Sequence, residues 1–336
     1  MTKLSNFLAK TVFLEKIMSG FKKPLLVLAV FSTCLFFASC TTNQAQAGDG
    51  IGIHGRLSRI EYGNNTAYIF GSMHIASPHW FPLAPIVEDA IERSDIFVFE
   101  YDLSLNETVV AAVAQEFAMN QTDTLGVLLP LLTEEQYNNF RESIATFPQN
   151  IFPRGAHFYD LSPFALEIIT VWYLFEEHMG LSQDYSVDTY VLEAAQRKGA
   201  PILGLNHIVQ EFEHMFSMSQ EANLESLANF PTLEKGIQDA QFLFDAYTNQ
   251  DIAALTELFV SEGEMTAGEA WMYETLMVQR SIEFAQEIQR LLIETETPTT
   301  FFITMGIGHM VGDTYANVFV YLQNQGFEIE RLYNGS

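Results

Sequence analysis

Thr299-Thr300-Phe301-Phe302-Ile303-Thr304-Met305-Gly306-Ile307-Gly308-His309 is an apolar run that stops at a glycine and delivers a histidine shortly after it. A run of strand length without strict alternation reads as a strand covered on both faces, as parallel strands inside α/β folds are. Tyr68-Ile69-Phe70-Gly71-Ser72-Met73-His74 repeats the device near the other end of the chain. Working outward, Leu57 to Tyr62 and Thr66 to Phe70 flank Gly63-Asn64-Asn65, which has the turn chemistry of a hairpin. The run from Pro82 to Arg93 has helical spacing, and Asp95 to Tyr101 (DIFVFEY) returns to a buried strand.

Residues from Asn106 to about Lys198 read as a helical layer interrupted at Pro130, Pro148, Pro153 and Pro163. Ala200 to Leu205 is a short apolar strand. Residues 208–229, 233–248, 251–262 and 266–294 read as helices, the last long and amphipathic. Gly306 to Gly312 reads as a turn into a helix, and Phe327 to Tyr333 as a closing strand. The expected fold is α/β: a central mixed sheet with Gly-x-x-His turns at strand carboxyl ends, flanked by a large helical layer.

The N-terminus reads as an export signal. Lys22 and Lys23 precede an apolar run, Pro24 to Phe37, that suits a secretory core and is short for a membrane span. Met18 is an alternative start. Phe37-Ala38-Ser39-Cys40 resembles a lipobox, which makes Cys40 the expected lipidation site; the rival is soluble secretion after Ala45-Gln46-Ala47. The expected organisation is a signal segment over residues 1–40, a polar tether over 41–50, and one α/β domain over 51–336. Thr41 carries no acidic retention signal, and by resemblance to Gram-negative lipoproteins this implies the outer membrane. Contact with the membrane is expected through the lipid anchor alone.

The formal net charge is −26, and Lys3, Lys10, Lys16, Lys22 and Lys23 all lie in the leader, so the body is more acidic still. Phosphate backbones demand clustered Lys and Arg, which excludes nucleic acid as a partner. The only cysteines, Cys34 and Cys40, lie in the leader as well. The body is left without a disulfide, a thiol nucleophile or a cysteine-ligated zinc.

Ligands in open α/β sheets bind at the carboxyl ends of strands. Four polar positions fall there: His74, Glu100, the pair Asn206 and His207, and His309. Gly71, Gly306 and Gly308 suit turns in which the backbone approaches a ligand or takes positive φ. Two imidazoles and a carboxylate suit a divalent ion such as Mn, Co or Zn. A lone histidine at a strand end is more commonly a hydrogen-bonded turn residue. Glu100 within an apolar run says more, since a buried carboxylate is costly unless paired or coordinated. Arg280 on the long helix would pair with Glu100 or a substrate oxyanion, with a solvated arginine as the alternative. His54, His79, His157, His178 and His214 read as structural or solvated, and Gln210-Glu211-Phe212-Glu213 as a solvated face. No Gly-x-Ser-x-Gly elbow, His-Glu-x-x-His helix or Walker loop is present.

Taken in order, these motifs resemble the TraB/GumN family, which includes the TIKI metalloproteases, over roughly Leu57 to Tyr333. Tyr68 to His74 is similar to its opening Gly-Thr/Ser-x-His turn, Val98 to Asp102 to its glutamate-bearing strand, and Met305 to Gly312 to its closing Gly-x-Gly-His-x-x-Gly. Val187-Asp188 through Ala195, Lys198-Gly199 and Gly204-Leu205 follow its middle segment, with Gln210 at its glutamine and Arg280 at its helix arginine. Two departures stand out: Gly204-Leu205-Asn206 where the family usually has Gly-Leu-Glu, and Arg280-Ser281 where it has Arg-Asn. His207 would replace the missing carboxylate only if it pointed to the same face, whereas neighbours on a strand point oppositely.

The resemblance implies metal-dependent hydrolysis, of a peptide bond by likeness to the TIKI enzymes, on a peptide or small extracellular substrate. His74, Glu100 and His309 would hold the ion or activate water, and Arg280 would stabilise the oxyanion. The alternative is a catalytically inactive envelope lipoprotein that binds a peptide or glycan in the same cleft.

Overall fold

The computed structural model describes residues 55–105, 109–110, 112–113, 116–117, 121–182, 185–259 and 265–332. The expected signal, Cys40 and the 41–50 tether lie outside them, as does His54. Six strands form one mixed sheet: β1 (Arg56–Tyr62), β2 (Asn65–Ser72), β3 (Ile96–Tyr101), β4 (Ile202–Asn206), β5 (Thr300–Gly306) and β6 (Ile329–Leu332). Their spatial order is β4-β3-β5-β2-β1-β6. β4, β3, β5 and β2 run parallel, and β1 pairs antiparallel with both β2 and β6.

Strand β5, from late in the chain, is inserted between β2 and β3. Its parallel register aligns Gly71 with Met305 and Ser72 with Gly306, so the two Gly-x-x-His turns leave the sheet side by side. β3 and β5 are buried along almost their whole length because helices cover both faces, which explains their unbroken apolar sequences. β4 lies at the edge and is only half-buried.

Helix Pro163–Met179 is apolar nearly all round and is correspondingly enclosed, with Phe164, Leu166, Ile168, Leu174 and Phe175 in the core. Ser186 caps helix Val187–Lys198 by accepting the Thr189 amide hydrogen, which sets Asp188 in the first turn. Among the described residues no helix is long and apolar enough to cross a membrane.

Several boundaries differ from the sequence expectation. The run 208–229 breaks at residues 216–219 into Ile208–Met215 and Gln220–Ala228, because Ser219 caps a new helix start. Residues 266–294 comprise Ala267–Trp271, a π-helical stretch Met272–Gln279, and helix Arg280–Glu294. After Gly306 comes a single 3-10 turn, Ile307–Met310, and the next helix starts only at Val318. The helix expected from Pro82 begins at Pro85.

Candidate functional site

The carboxyl ends of the four parallel strands meet the start of helix Arg280–Glu294 in a buried polar cluster. Arg280 holds its centre. Its Nη2 donates to Glu100 Oε2 at 2.7 Å and also to Glu211 Oε2, while Nη1 stands 3.5 Å from His309 Nε2. Arg280, Glu211 and His309 are each 0% exposed. The π-helical stretch ends at Gln279, so an extra-wide turn sets the angle at which Arg280 enters. The Phe284 ring, one helical turn on, lies 5.1 Å under the guanidinium and meets His309 edge-on at 4.9 Å.

Glu100 is clamped from a second side by the Gly306 amide, which donates to Oε1 at 2.7 Å across the β3–β5 boundary. Burial alone would raise the Glu100 carboxyl. Arg280 foremost, then His74, His309 and the Gly306 amide, hold it below the ordinary carboxylate range.

His74 Nδ1 lies 2.7 Å from Asp188 Oδ2, in the first turn of helix Val187–Lys198. This contact orients the ring and leaves Nε2 4.0 Å from Glu100 Oε1, buried and without a hydrogen-bond partner. Burial works against charge on this ring, but Asp188 and Glu100 outweigh it and raise its pKa, with Arg280 opposing.

The Ser281 hydroxyl donates to Ala316 O at 2.7 Å, so it accepts from His309 Nδ1, also at 2.7 Å. The His309 lone pair is therefore on Nε2, facing Arg280. Burial, with Arg280 beside it, pushes this imidazole down to about 3, and it stays neutral.

The sequence expectation of Arg280 pairing with Glu100 is met, and His74, Glu100 and His309 all border one cluster. Asn206 reaches it indirectly, donating from Nδ2 to Glu211 Oε1 at 2.8 Å and to Glu283 Oε2 at 3.0 Å. His207 does not reach it: the side chain is exposed and caps helix Ile208–Met215 by accepting the Val209 amide hydrogen. Gln210 is half-buried and takes no part in the hydrogen bonds just described.

The reading of Glu211 as part of a solvated face is corrected. Burial pushes its carboxyl up to about 7, with Arg280 opposing and the Glu100 charge adding. His214, read as structural or solvated, is buried beside Gln279 and Glu283. Asp188 was missed as a site residue, although an acid in the first turn after a capping serine is visible in sequence. The glycines also serve a purpose other than the expected one. Gly71, Gly306 and Gly308 do not take positive φ. A Cβ on Gly71 would come within 2.4 Å of Ile307 Cδ1, and one on Gly308 within 3.0 Å of the Phe259 ring. The first turn thus packs against the second, and Phe259 and Met277 cover the second.

Among the described residues no three His, Asp or Glu side chains form a ready-made metal-ligand cluster. The donor chemistry nevertheless fits a divalent ion. His74 presents a buried, unpartnered nitrogen next to a carboxylate and has its other nitrogen held by Asp188, as metal-binding histidines do, while the His309 lone pair is met by Arg280 Nη1.

Fold and site together define an α/β protein with a histidine, carboxylate and guanidinium cluster at the carboxyl ends of parallel strands. The model of the TraB/PrgY/gumN family matches residues 57–331, and the chain belongs to that family. No curated protein and no solved structure matches it.

Proposed function

We propose that this chain is an exported, metal-dependent hydrolase, acting on peptide bonds, with its active centre at the His74, Glu100, Arg280 and His309 cluster. The observation that carries the reading is His74 Nε2. Leaving a buried polar atom unpaired costs about 1–3 kcal/mol, so a site that orients such an atom toward a carboxylate suits a ligand or water there.

His74 and Glu100 would hold the ion, and the His309 lone pair would join them on giving up its contact with Arg280 Nη1. A bound Mn, Co or Zn ion would polarise a substrate carbonyl and make water a stronger nucleophile. Asp188 fixes the His74 ring by accepting the Nδ1 proton, which leaves the Nε2 lone pair for the ion. Arg280, its charge offset by Glu100 and Glu211, supports negative charge developing on substrate oxygen. Lipidation at Cys40 would anchor the protein at the outer membrane; cleavage after Ala47 would leave it in the periplasm or secreted.

The test loads the purified full chain separately with Mn, Co or Zn and follows cleavage of a mixed peptide library. Metal-stimulated cleavage lost in His74→Ala and Glu100→Gln is expected. Cleavage unchanged in both variants would sink the assignment.

Burial favours a second reading. Arg280 and His309 are completely buried, as suits structural residues of an inactive envelope lipoprotein that binds a peptide or glycan. That reading predicts ligand-induced stabilisation that does not change when metal is removed.

A further inference from the structure

Asn206, at the carboxyl end of β4, reaches the buried cluster through a carboxyl group on the helix that follows. Glu211, five residues on and turned back from helix Ile208–Met215, places its carboxyl between the Asn206 amide and Arg280. Oε1 accepts from Asn206, Oε2 accepts from Arg280 Nη2, and the side chain is completely buried.

We infer that Asn206 and Glu211 form a matched amide and carboxyl pair whose members can exchange positions, and that Glu211 is a positioning residue for Arg280. The inference rests on the hydrolase reading for its kinetic consequence, but not for its structural one.

Three observations carry it. First, Arg280 Nη2 is shared by two acids, Glu100 from β3 and Glu211 from the helix, which fixes the guanidinium plane and leaves Nη1 directed at His309. A bridging guanidinium held by carboxyls on two different elements has one orientation. Second, the Asn206 amide donates to two acids at once, Glu211 and Glu283. A glutamate at 206 with Glu211 in place would crowd a third carboxyl group against these two, so the residues at 206 and 211 are matched. Third, a buried carboxyl persists only when its oxygens are bonded, and both of these are.

A plain counter-ion role for Glu211 would require charge near Arg280 but not this exchange of positions, and the exchange is testable. Glu211→Gln, Asn206→Glu and the double variant Asn206→Glu/Glu211→Gln are compared in the full chain for thermal melting and for kcat and KM on the best library peptide. Glu211→Gln is expected to lower kcat roughly a hundredfold with little change in KM, as loss of an interaction made in the transition state does. It should also lower the melting temperature. The double variant should restore melting and bring kcat to within roughly tenfold of wild type.

If the wild type cleaves nothing, the hydrolase reading fails while the melting series still decides the role of Glu211. If Glu211→Gln does not fold, a folded double variant supports the exchange and an unfolded one overturns it. Wild-type melting in Glu211→Gln, or a double variant no better than Glu211→Gln, would also overturn it.

Discussion

His74 and His309 are the same residue type in matching turns, yet their surroundings drive them in opposite directions. Asp188 lies against the first ring and raises its pKa against burial, whereas burial and the Arg280 cation push the second down to about 3. An unfolded imidazole takes up a proton below about 6.5. Between that value and about 3 the unfolded chain binds more protons at residue 309 than the folded chain does. Stability from this group is therefore full above about 6.5 and declines as pH falls through the window. Glu211, with a folded pKa raised to about 7, acts in the opposite sense, favouring the fold below that value and losing its contribution as pH rises through it. Comparing wild type with His309→Gln isolates the histidine: urea denaturation at a series of pH values should show the difference changing steeply below about 6.5. A constant difference would mean that residue 309 is not held neutral.

Arg280 sets the second prediction at this scale. Its removal leaves Glu100 and Glu211 buried side by side without their cation, and Arg280→Met should cost about 3–5 kcal/mol in the same assay. Glu287→Ala, which breaks only a surface contact to Arg290, should cost less than about 1 kcal/mol.

The sheet register is the element that matters most. β2 and β5 come from opposite ends of the chain, but parallel pairing of Ser72 with Gly306 makes their following turns neighbours. Gly71 serves that contact. Gly71→Ala would drive a methyl group into Ile307, and overpacking of this kind should cost about 1–3 kcal/mol and weaken metal binding with it. Unchanged stability and binding in Gly71→Ala would separate the turn contact from the site.

The strands and their terminal polar residues were legible because Phe301 to Met305 and Phe97 to Phe99 are apolar runs whose ends are marked by glycine or a carboxylate. Asp188, Glu211 and Ser281 were not legible as partners because they lie on helices. Helix pattern says which face is apolar, but docking decides which polar side chain turns toward the sheet. Glu211 shows this well, since its local sequence, Gln-Glu-Phe-Glu, is that of a surface. The π-helical stretch before Arg280 has no sequence signature either; it is one wider turn within a run of continuous helical pattern.

At the scale of the whole molecule, an acidic α/β body carries a sealed polar centre that links four strands to three helices. The proposed export rests on the leader, outside the described residues, and is tested independently of the site. Labelling with a fatty-acid analogue should mark the wild type and not Cys40→Ala; equal labelling would overturn acylation at Cys40, and none in either would leave secretion after Ala47 as the alternative. The central claim is that this buried centre, rather than any surface histidine, binds a divalent ion. Cobalt(II) titration followed by visible absorption reads it most directly. Wild type and His207→Ala should each take up one ion with a saturable histidine-ligated band, and His74→Ala should lose the band. An identical titration in His74→Ala, or loss of the band in His207→Ala alone, would contradict the claim.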